Sequence, residues 1–134
     1  LWFALLAAQI VLVFVAFKVA PSATNEPGTM NAQIFFGVGI MILMASFVLP
    51  KVMMKSLVDS SQPITVATLF TPFIFSLALN EACSMMGFMS KKISNNDEIS
   101  LALFAISGIA YLARFPSQSK IQNQLEMLKN QKAK

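Results

Sequence analysis

The sequence predicts an all-α membrane protein: four transmembrane helices in an antiparallel bundle, followed by a C-terminal amphipathic surface helix. Of its 134 residues, 56% are hydrophobic and only 12% are charged, whereas soluble domains usually carry about 25% charged residues. The apolar residues lie in four blocks, at about 1–20, 32–50, 64–89 and 99–115. Since a helix needs roughly 20 mostly apolar residues to cross a hydrocarbon core of about 30 Å, the first three blocks can each span a bilayer and the fourth is marginal.

Two other architectures, a soluble helical bundle and a transmembrane β-barrel, fit the sequence less well. The blocks 1–20 and 32–50 have no polar face that could be turned to water, as a soluble bundle requires. The apolar runs are continuous, whereas barrel strands alternate apolar and polar residues. We therefore expect residues 1–116 to form one transmembrane domain and residues 117–134 to form a basic cytoplasmic tail.

The first helix is expected to stay in the mature protein. The sequence begins at Leu1 without a methionine, so we expect a short N-terminal piece to be missing or removed. The apolar stretch up to Ala20 exceeds the roughly 7–15 residues of a signal-peptide core, and no small-residue cleavage pattern precedes Pro21. A retained helix that ends near Pro21 agrees better with these features.

Prolines and polar turns set the other expected helix boundaries. Pro50 is predicted to close helix 2, Pro63 to precede helix 3, and Pro116 to end helix 4. The stretch from Ser94 to Glu98 is predicted to be an outer turn, whose acidic residues stabilise the start of helix 4.

The distribution of lysine and arginine predicts the orientation of the bundle. Seven of these residues lie in the loop after helix 2 and in the tail, against three on the other side when Lys18 is included. The positive-inside rule therefore places both termini and residues 51–63 in the cytoplasm, and we expect a bacterial inner membrane. The net charge of +4 then acts in orientation and in attraction to anionic lipid headgroups. We expect no nucleic-acid partner.

The tail has the pattern of a short amphipathic helix. Ile121, Leu125 and Leu128 recur at helical spacing in an otherwise polar segment. Such a helix can lie on the cytoplasmic membrane surface, helped by its lysines, or it can dock a soluble partner. The membrane-surface interpretation is the simpler of the two.

Glu81 is the only acidic residue inside any of the long apolar blocks. A charged side chain at mid-membrane costs roughly 2.5–3.5 kcal/mol on insertion scales, so it usually faces a partner, a cavity or a pathway. Three states are open for it: a neutral acid in a structural hydrogen bond, an ion pair with Lys18, or a carboxyl that binds and releases a proton or cation. In the last case Asn80 and Ser84 would complete the site.

Small and polar residues are predicted to form the packing face of helix 3. Small or polar residues recur at every fourth position along one line of this helix: Thr68, Pro72, Ser76, Asn80 and Ser84. Gly87 lies close to the same line. Small residues let helix backbones approach closely in lipid, and polar residues bond across helices there, so such a line marks a helix contact. Glu81 flanks this line and is expected to point into a helix interface.

Catalytic and cofactor chemistry finds little support in the sequence. The chain has no histidine for proton transfer, no serine nucleophile with a plausible base, and no glycine-rich phosphate loop. The single cysteine, Cys83, cannot form an intramolecular disulfide and belongs to no metal-ligand spacing. We therefore expect no enzymatic activity, no cofactor and no metal site.

Three short motifs carry a resemblance to a known family. They are Gln62-Pro63, Leu79-Asn80-Glu81-Ala82 and Met86-Gly87-Phe88. With these motifs, residues 62–88 resemble the second helix of the proteolipid (c-type) subunits of rotary ATP synthases and ATPases. The resemblance implies that Glu81 binds a proton or sodium ion and that Gln62-Pro63 lies near a cytoplasmic stalk contact. Through Leu79–Ala82 and an Arg-Phe-Pro end at residues 114–116, the chain also resembles small bacterial four-helix membrane proteins.

These features favour a non-enzymatic function. We expect a small integral membrane subunit that assembles with copies of itself or with other membrane subunits, in contact with the lipid bilayer. Its assembly face would be the packing face of helix 3, with Glu81 buried within it. The second hypothesis is a proteolipid-like proton or cation carrier that uses Glu81, and the third is an accessory subunit of a respiratory or transport complex.

Overall fold

The computed structural model describes residues 1–19, 29–60, 63–115 and 117–133. Within these ranges all of the regular structure is helical, which confirms the all-α class. The helices are, in chain order, α1 Trp2–Phe14 with a π-helical continuation Val15–Val19, α2 Thr29–Asp59, α3 Val66–Ser94, α4 Asp97–Ala113 and α5 Gln118–Lys132.

Two of these helices could cross a membrane by length and composition. They are α2, over Asn31–Asp59, and α3, each with 29 apolar-rich residues, or roughly 44 Å at 1.5 Å per residue. The first helix is also apolar but shorter, over Trp2–Lys18, and α4 has 17 residues. Length and composition therefore identify two spans, fewer than the four that the apolar blocks predict.

Helix α2 does not end at Pro50, as the sequence predicts, but continues to Asp59. A proline inside a helix leaves the carbonyl four residues earlier without its N–H partner, here that of Ser46. Polar groups cluster at this point, because the Ser46 hydroxyl donates to the Leu43 carbonyl at 2.6 Å and accepts a bond from Arg114 at 2.7 Å. Both bonds are made by the Ser46 side chain and place polar groups beside the freed carbonyl, a setting in which apolar helices tolerate an internal proline. The expected loop is thus largely an extension of α2.

Caps on both sides of a two-residue turn fix the antiparallel pairing of α3 and α4. Asn95 ends α3 in the left-handed region at φ 48°, which asparagine tolerates better than most residues. The Asn96 side chain caps α4 by accepting the Ile99 N–H at 2.9 Å. Lys91 forms an ion pair with Asp97, which stands in the first turn of α4 as the sequence predicts. The turn therefore sets both helix ends.

The interior of the bundle contains many polar side chains, and much of its apolar surface is outside. Helix α3 is central, packing against all four other helices. Two small apolar clusters form around it, one with Leu43 and Leu103 and one with Trp2 and Tyr111. Serines at positions 46, 84, 90, 94, 100 and 107 are also fully buried. These short side chains allow the helices to pack closely.

Helix α5 folds back on the bundle, where it contacts α2 and α3. Its residues Ile121, Leu125 and Leu128 are partly buried, and most of its remaining residues are exposed. Near its end Lys132 donates to the Ser60 carbonyl at 2.8 Å. The predicted apolar edge of the tail therefore contributes to packing within the chain.

Candidate functional site

A cluster of four buried polar side chains, called here the polar cluster, joins α1, α3 and α4: Gln9, Asn80, Ser84 and Ser107. The Gln9 side-chain amide donates to both serine hydroxyls, which also bond to each other. The Asn80 amide donates to the Ser107 backbone carbonyl at 2.9 Å. Because each helix is tied to the others by bonds far from water, the cluster fixes how the three helices pack.

Glu81 lies beside the polar cluster in sequence but does not join it. It is half-buried, and the fully buried Tyr111 donates its hydroxyl to the Glu81 Oε2 atom at 3.3 Å. Among the described hydrogen bonds none joins Glu81 to Asn80 or Ser84. The three residues predicted to form one ion or proton site therefore divide between two places, an enclosed cluster and a more open carboxyl.

An ion pair of Glu81 with Lys18, one of the three states that the sequence leaves open, is not formed among the described residues. Lys18 is exposed in the π-helical turn after α1, and Glu81 has the Tyr111 hydroxyl as its partner instead. Lys91 does form an ion pair, with Asp97. Lys18 is exposed because it lies in the π-helical turn that follows α1, where a long side chain can extend away from the bundle.

The predicted packing face of α3 is occupied within the single chain. Pro72, Ser76 and Gly87 are buried there together with Asn80 and Ser84. At Gly87, α3 contacts α4, and the Ser100 hydroxyl donates to the Gly87 carbonyl at 2.8 Å. The face is therefore not open to other subunits, because helices of the same chain already cover it.

Thr68 differs from the rest of that face, because it belongs to the helix start. Its hydroxyl accepts the Thr65 N–H at 3.0 Å, and the Thr65 hydroxyl accepts the Thr68 N–H at 3.4 Å. This reciprocal pair is a capping box, which satisfies backbone donors that have no partner within the helix. Thr68 therefore has a local role at the start of α3.

Arg114 connects the end of α4 to α2 and α3. Its Nη2 atom donates to the Ser46 hydroxyl at 2.7 Å and its Nη1 atom to the Ser76 carbonyl at 3.4 Å. The guanidinium also lies over the Phe47 ring, 4.1 Å from its centroid, a favourable cation–π arrangement. The sequence treats Arg114 as an orientation signal, whereas the structure makes it a bridge between three helices.

Reasoning from the sequence missed four residues of this candidate site: Gln9, Ser107, Tyr111 and Arg114. Gln9 is the one amide or charged residue of the first block before Lys18, a signal of the same kind that singled out Glu81. Tyr111 is the single tyrosine of the chain and stands in an apolar helix. Both signals mark a polar group within an apolar stretch, but neither indicates which residue is its partner.

The functional groups of the polar cluster and its surroundings are hydrogen-bonding side chains and the one carboxyl of Glu81. No group of three or more histidine, cysteine, aspartate or glutamate side chains that could hold a metal ion occurs among the residues that the structure describes. Cys83 is buried in the apolar cluster of Leu43 and Leu103. Gln62, part of the motif that implies a stalk contact, lies outside the described residues.

Comparison with known proteins adds no assignment for these residues. The chain matches no protein-family model, no curated protein and no solved structure. The interpretation of the site therefore depends on its own geometry.

Proposed function

We propose that the protein is a non-enzymatic integral membrane subunit in which α1–α4 lie in the bilayer, with both termini on the cytoplasmic side. It assembles with copies of itself or with other membrane subunits through the Glu81 side of α3. The polar cluster holds the bundle together from within. Helix α5 lies at the cytoplasmic surface.

The apolar exterior of all four helices supports a position in the membrane. Each helix carries large apolar side chains that are exposed on the single chain. Examples from α1 to α4, in order, are Phe3 at 73% exposure, Met41 at 73%, Phe70 at 48% and Ile109 at 67%. Soluble proteins bury most such residues, and exposed apolar patches beyond a few hundred Å² mark contact with lipid or another protein. The fully buried serines agree with this position, because small and polar residues mark the contacts between helices in membranes.

The single observation that carries the assembly proposal is the half-buried position of Glu81. Its neighbours one turn away on the same side, Ala78 and Met85, are exposed, so this line of α3 faces out of the bundle. The Tyr111 hydroxyl bonds to one of the two carboxyl oxygens. Because an intramembrane carboxyl is costly beside lipid, a partner helix that covers this line would satisfy the other oxygen.

We expect Ala78→Phe to break the assembly, because the bulky ring would prevent a partner helix from approaching Glu81. The mass of the complex in mild detergent, measured by size-exclusion chromatography with light scattering, should fall to that of smaller species. Ala105→Phe is the matched control, since Ala105 is also an exposed alanine but lies on α4 instead of α3. Glu81→Gln should keep the assembly, because an amide still forms hydrogen bonds.

A monomeric native protein would contradict the proposal, as would equal effects of Ala78→Phe and Ala105→Phe. Co-purification with a larger complex, with no self-association, would identify the partner as a different membrane subunit. That outcome corresponds to the accessory-subunit hypothesis and still requires the Glu81 side of α3 as the contact.

A proton or cation carrier is the second candidate function, and the pairing of Glu81 with Tyr111 favours it. A half-open carboxyl with one hydroxyl partner can exchange a proton or bind a cation, as the proteolipid resemblance implies. For a carrier, Glu81→Gln in proteoliposomes would abolish ion flux and leave the oligomer intact. The assembly proposal expects no flux in either protein.

A further inference from the structure

A pocket of about 300 Å³ opens where the second half of α2, the start of α3, the end of α4 and the start of α5 meet. Its wall is mostly apolar, with aromatic, proline and aliphatic side chains. Three cationic side chains also line it: Lys51, Arg114 and Lys120. None of the lining residues that the structure describes is acidic.

Arg114 occupies this pocket as a half-buried cation with neutral partners. Its two hydrogen bonds go to the Ser46 hydroxyl and the Ser76 carbonyl, and its flat face lies on Phe47. Arg114 is not a member of the ion pair given for the described part of the chain, which joins Lys91 to Asp97. A guanidinium has five N–H donors, so Arg114 retains donors for an anion. Buried charges are normally paired, which leaves a place for an external anion here.

We propose that the pocket binds an anionic phospholipid, with the phosphate on Arg114 between Lys51 and Lys120 and the upper acyl chain against the apolar wall. Guanidinium and phosphate form strong charge-assisted hydrogen bonds in a fork geometry. The apolar wall excludes a purely hydrophilic anion as the best occupant, because such a ligand would leave this surface in contact with water.

The position and size of the pocket agree with a lipid from the surrounding bilayer. All four contributing segments stand at the end of the bundle assigned to the cytoplasmic surface, where lipid headgroups lie, so this inference rests on the proposed membrane placement. The volume is at the lower limit of the range of about 300–1,000 Å³ for small-molecule sites. It accommodates a headgroup and the start of one chain, while the remainder extends into the bilayer.

Native mass spectrometry of the protein from mild detergent tests the proposal, with phosphatidylglycerol, phosphatidylcholine and inorganic phosphate as separate probes. We expect one phosphatidylglycerol to be retained per chain in preference to phosphatidylcholine. Arg114→Gln should weaken this binding about tenfold or more, because it removes a partly desolvated charge partner. Lys51→Gln and Lys120→Gln, at more exposed positions, should each weaken it about two- to fivefold.

Lys129→Gln is the matched control, because Lys129 lies on the same helix as Lys120, is exposed and does not line the pocket. It should leave the affinity unchanged. If Arg114→Gln does not fold, the proposal is tested by comparing the phosphatidylglycerol affinities of Lys120→Gln and Lys129→Gln. Equal losses in these two variants, equal retention of phosphatidylcholine, or displacement of the lipid by inorganic phosphate alone would each overturn the proposal. The same spectra give the oligomer mass, so loss of lipid from an intact oligomer is distinguished from failed assembly.

Discussion

Gly87→Leu is expected to lower the free energy of unfolding by about 3 kcal/mol, the upper part of the usual range for overpacking. A Cβ atom at Gly87 would stand 3.2 Å from the Leu103 Cβ atom and 3.2 Å from the Ser100 backbone carbonyl oxygen. The α4 backbone cannot move away from the new side chain as easily as a flexible side chain could, because the Ser100 hydroxyl bonds α4 to the Gly87 carbonyl. The leucine side chain must therefore push α3 and α4 apart. Titration with sodium dodecyl sulfate in mixed micelles, followed by circular dichroism, measures the loss.

Gly108→Leu is the matched control for this prediction. Nothing lies within 4 Å of a Cβ atom at Gly108, so the same change should be neutral or slightly stabilising, since leucine is the better helix former. The Gly87 contact is within one chain, so unfolding should accompany or precede any change in oligomer mass. Equal destabilisation of the two variants would show that the close α3–α4 contact does not limit stability.

Gln9→Leu is expected to lower the free energy of unfolding by about 2 kcal/mol. The Gln9 amide donates to Ser84 and Ser107, and hydrogen bonds between membrane helices contribute on average about 0.6 kcal/mol, up to about 1.7. Removal of both bonds also leaves two buried hydroxyls with fewer partners, which adds to the loss. The same detergent titration measures this effect, and α1 should become the first helix exposed to proteolysis.

Gln33→Leu provides the control for Gln9→Leu, because Gln33 is exposed on α2. It should change stability little. A double-mutant cycle with Ser107→Ala should give a coupling free energy clearly above zero, since both changes remove the same bond. Additive effects would mean that Gln9 stabilises the protein by some route other than the polar cluster.

The positions of the helices could largely be predicted from the sequence, because long apolar blocks and polar turns are local features. The Asn95-Asn96 turn is such a case, since its caps depend on adjacent residues. The end of α2 could not be predicted in the same way. Pro50 is a local helix-breaking signal, but α2 packs against α3 and α5, and just past its end the Ser60 carbonyl accepts a bond from Lys132 of α5.

The candidate site was predictable in composition but not in its pairings. The four-residue spacing on α3 marks which of its residues turn inward, Ser76 and Ser84 among them. It contains no information on which helix meets that face, so Gln9 and Tyr111 could not be chosen over Lys18 as partners. The partner of a polar group depends on how α1 and α4 are placed around α3, which is a property of the tertiary fold.

Reactivity of Glu81 towards a hydrophobic carbodiimide, measured on the intact assembly by mass spectrometry, tests the central claim most directly. The labelling would be followed from mildly acidic to mildly alkaline pH in mild detergent, and repeated after dissociation into single chains. If a neighbouring subunit covers the Glu81 side of α3, the carboxyl stays unlabelled in the assembly and becomes reactive in the dissociated chain. Rapid labelling of the intact assembly that sodium ions or alkaline pH suppress would contradict the account, and would instead identify Glu81 as an accessible carrier carboxyl.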